Sequence, residues 1–154
     1  MLPIYSVLTI KTQNYPMNAN DLRDTLLEFP SATEEQPFGP EVVVYKVMGK
    51  MYAFSAYETP LTVNLKCNPD RSLELRRQYD SVQSGYHMNK KHWNTLTLDG
   101  SFPHSLVTEL IQHSYDLVVQ GLSKKDQKKV KEASTKPRNQ ENDWHAQFLR
   151  DISE

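Results

Sequence analysis

Between Glu41 and Lys66 the chain reads EVVVYKVMGKMYAFSAYETPLTVNLK, and this stretch restricts the fold more than any other. EVVVYKVM is β-branched and aromatic, a composition that suits a pleated and half-buried surface. Gly49-Lys50 reads as a tight turn, MYAFSA as the partner strand, and Glu58 to Pro60 as a second turn. In LTVNLK, Leu61, Val63 and Leu65 alternate with Thr62, Asn64 and Lys66. That period of two predicts a sheet with one buried face and one solvated face, most simply an antiparallel meander.

Helical patterns flank the meander. From Asn18 to Phe29, Leu22, Leu26 and Phe29 share one face; Asn18 or Asn20 can cap the start, and Pro30 ends it. PSATEEQPFGP then reads as a loop punctuated by proline and glycine. In NPDRSLELRRQY, Asn68 is a cap, Pro69 suits the first helical position, and Leu73, Leu75 and Tyr79 supply apolar contact. The clearest helix runs from about Pro103 to Gln120, with Val107, Leu110, Ile111, Ser114 and Val118 on one stripe and Gly121 after it. Tyr115 and Asp116 interrupt its apolar run, the tyrosine with its hydroxyl at a boundary and the aspartate in solvent or beside a lysine. The expected order is α-β-β-β-α-β-β-α, an α+β fold whose helices pack on one face of an antiparallel sheet. It occupies residues 17–122, between an N-terminal extension (1–16) and a polar, basic tail (123–154) expected to be flexible. Within that tail, WHAQFLRDI is apolar enough to dock on the domain or on a protein partner.

Charge and cysteine usage limit the chemistry. Lys and Arg number 18 against 19 Asp and Glu, a net charge of −1, so nucleic-acid binding would rest on local charge. One cysteine, Cys67, allows neither an intrachain disulfide nor a cysteine-based metal cage. No stretch approaches the roughly 18 uninterrupted apolar residues of a membrane span, and the first residues lack the basic region of a signal peptide. No membrane association and a cytoplasmic location are the expectation.

The densest set of functional groups is GYHMNKKHWNTLTLDG, residues 85–100. Trp93, Thr95, Leu96 and Leu98 read as one strand, Tyr86-His87-Met88 as another, and Asn89-Lys90-Lys91-His92 as the loop between them. As plain structure, Trp93 and Met88 pack inward, Asn89 takes a turn dihedral, and the lysines meet water. As a site, Lys90 and Lys91 neutralise phosphates, and His87, Asn89 and His92 reach phosphates or base edges. Lys50, with Lys46 and Lys66 on neighbouring strands, would serve the other hairpin. A different reading makes Tyr86, His87, His92 and Trp93 the walls of a groove for a protein or a small ligand. His87 and His92, even joined by His104 or His113, have no familiar metal-ligand spacing, so no metal or other cofactor is expected. Cys67 with His87 as base is the only nucleophile pairing on offer; it follows an alternating strand, where burial is the ordinary outcome, so no enzymatic activity is expected. Lys124, Lys125, Lys128, Lys129 and Lys131 form a basic run that is either a solvated tail or an auxiliary nucleic-acid arm.

Several segments in order, LLEFPSATEEQPFGP, YKVMGKMYAF, VNLKCNPDRSLELR, GYHMNKKHWNTLTLDG and HSYDLVV, resemble the MmcQ/YjbR family of small bacterial proteins. The resemblance spans about Asn18 to Leu122 and excludes both tails. It implies a CyaY-like (frataxin-like) fold and a DNA-binding role through a double-wing motif, without an enzymatic activity to carry over. Iron binding does not follow from the fold likeness, because the first helix offers only Asp21, Asp24 and Glu28, interrupted by Arg23.

Overall fold

The computed structural model describes residues 16–85 and 88–135. The Asn18 side chain accepts a hydrogen bond from the Asp21 amide at 2.8 Å and opens helix α1, Ala19–Leu27, which buries Leu22 and Leu26. Four strands follow: β1 (Ala32–Glu35), β2 (Val42–Val47), β3 (Lys50–Ala56) and β4 (Thr62–Lys66). Asn68 caps α2 (Pro69–Gln78) by accepting from the Asp70 and Arg71 amides. Strands β5 (Val82–Ser84) and β6 (Trp93–Thr97) lead to α3 (His104–Gln120) and α4 (Lys124–Thr135). The six strands form one antiparallel sheet in the order β1-β2-β3-β4-β6-β5. The fold is α+β, and the core lies between the helices and one face of the sheet.

Alternation along the strands divides that sheet. Val43, Tyr45 and Val47 of β2, Val63 and Leu65 of β4, and Leu96 of β6 join α3 residues Val107, Leu110 and Ile111 in one core. Their neighbours Val42, Val44, Lys46, Thr62, Asn64, Lys66, Trp93 and Thr95 therefore point to the opposite face. One bulge breaks the rule. Tyr45 pairs with Ala53 but Lys46 with Met51, so Tyr52 is an extra residue, and both Tyr52 and Ala53 turn into the core. The Tyr52 hydroxyl donates to the Leu26 carbonyl, and that of Tyr115 donates to the Pro30 carbonyl at 2.6 Å. Two aromatic side chains thus tie the end of α1 to the sheet and to α3, with Phe29 stacked on Tyr115.

The observed order, α-β-β-β-β-α-β-β-α-α, adds two elements to the expected one. The first is β1, inside the segment read as a loop. It carries no apolar alternation, and it holds the sheet edge by ladder bonds to β2 and by ion pairs from Glu34 to Arg23 and Glu35 to Lys46. The second is α4, inside the segment expected to be a flexible tail; Val130 enters the core, and Gln127 Nε2 donates to the carbonyls of Gln120 and Leu122. Smaller departures have local causes. The β2–β3 turn is Met48-Gly49, both at positive φ, and Lys50 already belongs to β3. The partner of β6 is Val82–Ser84 rather than the run beginning at Tyr86; Tyr86 and His87 lie outside the described residues, and Met88 is not in a strand. Leu73 faces solvent, and Ser72 takes the buried position expected of it. Residues 1–15 and WHAQFLRDI also lie outside the described residues.

Candidate nucleic-acid interface

Antiparallel pairing brings the two lysine-bearing turns to the same end of the sheet. β3 starts at Lys50, directly after the Met48-Gly49 turn, and β4 ends at Lys66. Lys66 lies opposite Trp93, the first residue of β6, and the next pair is closed by the Cys67 amide donating to the His92 carbonyl at 2.7 Å. The Asn89–His92 loop and the β2–β3 turn are therefore separated only by the end of β4. Lys46, opposite Met51 on β2, reaches this end from the other side.

Lys46, Lys66 and Trp93 share the face turned away from the core, and Trp93 is only partly buried there, not packed into the core as expected. The reason is phase: on β6 the inward positions are Asn94 and Leu96. Lys50, Lys90 and Lys91 are exposed. Lys46 has an ion pair, to Glu35 at 2.8 Å, and none is described for Lys50, Lys66, Lys90 or Lys91.

The Asn89 loop is built from inside. Asn89 Oδ1 accepts from the Lys91 amide at 2.9 Å, and the Asn89 carbonyl accepts from the amides of His92 and Trp93 at 3.2 and 3.0 Å. Asn89 keeps an ordinary φ, so it shapes the loop by this Asx turn instead of an unusual dihedral. Gly85 meets Trp93 across the strand pair, its amide donating to the Trp93 carbonyl at 2.8 Å.

Arg76 of α2 clamps this loop from below, a role not anticipated from the sequence. Its Nε donates to Asn94 Oδ1 at 2.7 Å, and its Nη2 donates to the carbonyls of Lys90 and of Trp93. Bonds from a guanidinium are stronger than neutral ones, and the planar fork suits several acceptors at once. Ser72 and Arg76 are one helical turn apart beside buried Leu75, and an arginine on an inward face was the available signal. Among the described residues, buried Asn94 Nδ2 and Ser72 Oγ find no partner, so the described polar contacts of the layer beneath the loop come from Arg76.

The other candidates fall elsewhere. Cys67 is 3% exposed and belongs to the core, so its sulfur is closed to a substrate. His113 Nε2 accepts from the Asn68 amide at 3.1 Å, and burial together with nearby Arg71 holds its pKa below the ordinary histidine value. Among the described residues no three His, Cys, Asp or Glu side chains converge as metal ligands, and no helix is long and apolar enough to cross a membrane. The groove expected around Tyr86, His87, His92 and Trp93 falls partly outside the described residues. Among the described residues, one groove lies between α1, α3 and α4 and another around Met17, Pro60 and Leu98.

The YjbR family model matches residues 27–117, more than half of the chain and the whole of the clamped loop. The chain belongs to the YjbR family. It is 42% identical over 106 residues to the protein YbdF of Escherichia coli O157:H7, covering 68% of this chain and 87% of that one. To YjbR of Escherichia coli K12 it is 30% identical over 113 residues, covering 73% and 96%. Among solved structures it is similar to Deinococcus radiodurans protein DR2400, a DUF419 domain, with a TM-score of 0.69 and 42% identity over 73% of this chain and 87% of that one. A Pseudomonas syringae protein is similar at a TM-score of 0.59 and 25% identity, covering 66% and 98%. The YjbR match ends within α3, so α4 and the residues after it are outside it.

Proposed function

We propose that this YjbR-family protein is a non-enzymatic nucleic-acid-binding module that contacts the phosphates of duplex DNA through the lysine-bearing end of its sheet. The observation that carries the reading is the common end shared by Lys50, Lys66, Lys90 and Lys91, at the edge of the sheet face turned away from the core. Strands lie about 4.8 Å apart, so the two spacings from β3 through β4 to β6 span roughly 10 Å. That span is comparable to the roughly 12 Å width of a DNA major groove. The Arg76 clamp supports the reading energetically, because a loop already ordered loses little entropy on binding. With a net charge of −1, affinity rests on this local set and falls steeply with salt.

Titration of the protein with a fluorescent duplex at several salt concentrations tests the reading. Binding at low salt is expected, and changing Lys90 and Lys91 to Glu lowers affinity at least tenfold. Loss of two phosphate contacts flattens the dependence of log K on log salt by about 2. Absence of binding at low salt, or a double variant that binds like the parent, rejects the reading.

A further inference from the structure

The groove between α1, α3 and α4 has a volume of about 620 Å³ and is lined by helix and loop residues rather than by the sheet. Its floor is apolar: the stacked rings of Phe29 and Tyr115, 4.8 Å apart, with Val119 and Val130 beside them. The Tyr115 hydroxyl is bonded to Pro30 and its ring is buried, so the apolar surface open to an incoming group comes from half-buried Phe29 and Val119, with polar side chains such as Gln112 and Lys131 around them.

One wall of the groove is thinly held. Helix α4 has 12 residues, of which Val130 alone is buried. A helix of that length is marginal without tertiary support. Lys131 and Ser134, at its end, line the groove, so the chain leaves α4 at the rim.

Nineteen residues follow Thr135, and their pattern matches that exit. Residues 136–143, KPRNQEND, contain no large apolar side chain. Trp144, Phe148, Leu149 and Ile152 then recur at the i, i+4, i+5 and i+8 spacing of a single apolar stripe. An eight-residue polar linker has a root-mean-square reach of about 16 Å, enough to return to a groove whose rim it starts from. Tethering also gives the stripe a millimolar effective concentration, so modest contact area suffices.

We propose that the segment 144–154 of this chain docks intramolecularly in the α1–α3–α4 groove, placing Trp144 and Phe148 against Phe29 and Val119 and bracing α4. The occupant is this chain's own C-terminal stripe rather than a partner, because the groove, the exit point and the linker length are mutually matched.

Trp93 and Trp144 are the two tryptophans, so Trp93→Phe leaves Trp144 as the sole reporter in the full chain. Its emission is expected to be blue-shifted and several-fold less quenched by acrylamide than in the urea-unfolded chain. Thr108→Arg, at an exposed position of α3 that lines the groove, is expected to return emission and quenching to unfolded-like values while circular dichroism stays native. If Trp93→Phe does not fold, the difference spectrum between the parent and Trp144→Phe gives the same readout. Solvent-exposed Trp144 in the folded chain, or shielding that Thr108→Arg leaves unchanged, overturns the proposal. Shielding that appears only as protein concentration rises assigns the groove to a second copy and overturns it equally.

Discussion

The two hairpins that meet at the lysine-bearing end both depend on a glycine, for different physical reasons. Gly49, in the β2–β3 turn, sits at φ +80° with open space where a Cβ would go. It is needed for its backbone angle. Gly85, ahead of the Asn89 loop, has no such angle, but a Cβ there would lie 2.8 Å from the Trp93 Cβ and 3.1 Å from its carbonyl oxygen. It is needed for space. One hairpin is therefore specified by its own turn, and the other by what lies across from it and by Arg76 beneath.

Removing the clamp should break the second hairpin and spare the first. Arg76→Ala withdraws a charged donor from three acceptors and leaves Asn94 without a described partner. A loss of about 3 kcal/mol is expected in urea denaturation. Hydrogen exchange should quicken at the amides of Cys67 and Gly85, which bond into the loop and its strand, more than in the β2–β3 ladder. Equal quickening in both hairpins would erase the distinction.

The two glycines sharpen it further. Gly85→Ala must push against backbone as well as side chain, and about 2 kcal/mol of overpacking is expected. Gly49→Ala meets no neighbour and costs only its left-handed backbone, about 1 kcal/mol. The order of the two midpoints in denaturation is the test. A larger loss at position 49 would mean that the Gly85 contact relaxes at little cost.

The smallest effect is one of pH. His113 accepts from the Asn68 amide at the start of α2, the helix that carries Arg76, and burial is the main cause that lowers its pKa below 6.5. A depressed folded-state pKa means that the unfolded chain binds the proton more readily. The contribution of His113 is therefore fully present above pH 6.5, declines as pH falls below it, and is lost once pH passes the folded-state pKa. Glu109 and Asp116 oppose this shift while Arg71 adds to it, so the net effect is modest. Stability measured across this acid range should fall less in His113→Gln than in the parent.

Much of the fold was legible because its signals are local. The β2–β3–β4 meander follows from alternation and turns within 25 residues, the caps at Asn18 and Asn68 from side chains beside the amides they satisfy, and α3 from its own stripe. The candidate site was legible as a cluster of residue types but not as an arrangement. Lys90 and Lys91 stand out in the sequence, yet the phase of β6, which turns Trp93 outward and Asn94 inward, is set by pairing with β4 and β5.

Neighbouring residues and long unbroken motifs carry the α+β class, the central strands, the helix caps and the family. The remaining elements depend on contacts between distant parts of the chain. β1 is a strand because Arg23 and Lys46 pair with its glutamates and β2 offers a free edge. β5 takes Val82–Ser84 because β6 fixes its register, and α4 is ordered because Val130 finds the core. Arg76 matters because folding brings an α2 side chain under a loop 14 residues further along the chain. In each case the stabilising partner is distant in sequence, so no local pattern of apolar residues could announce it.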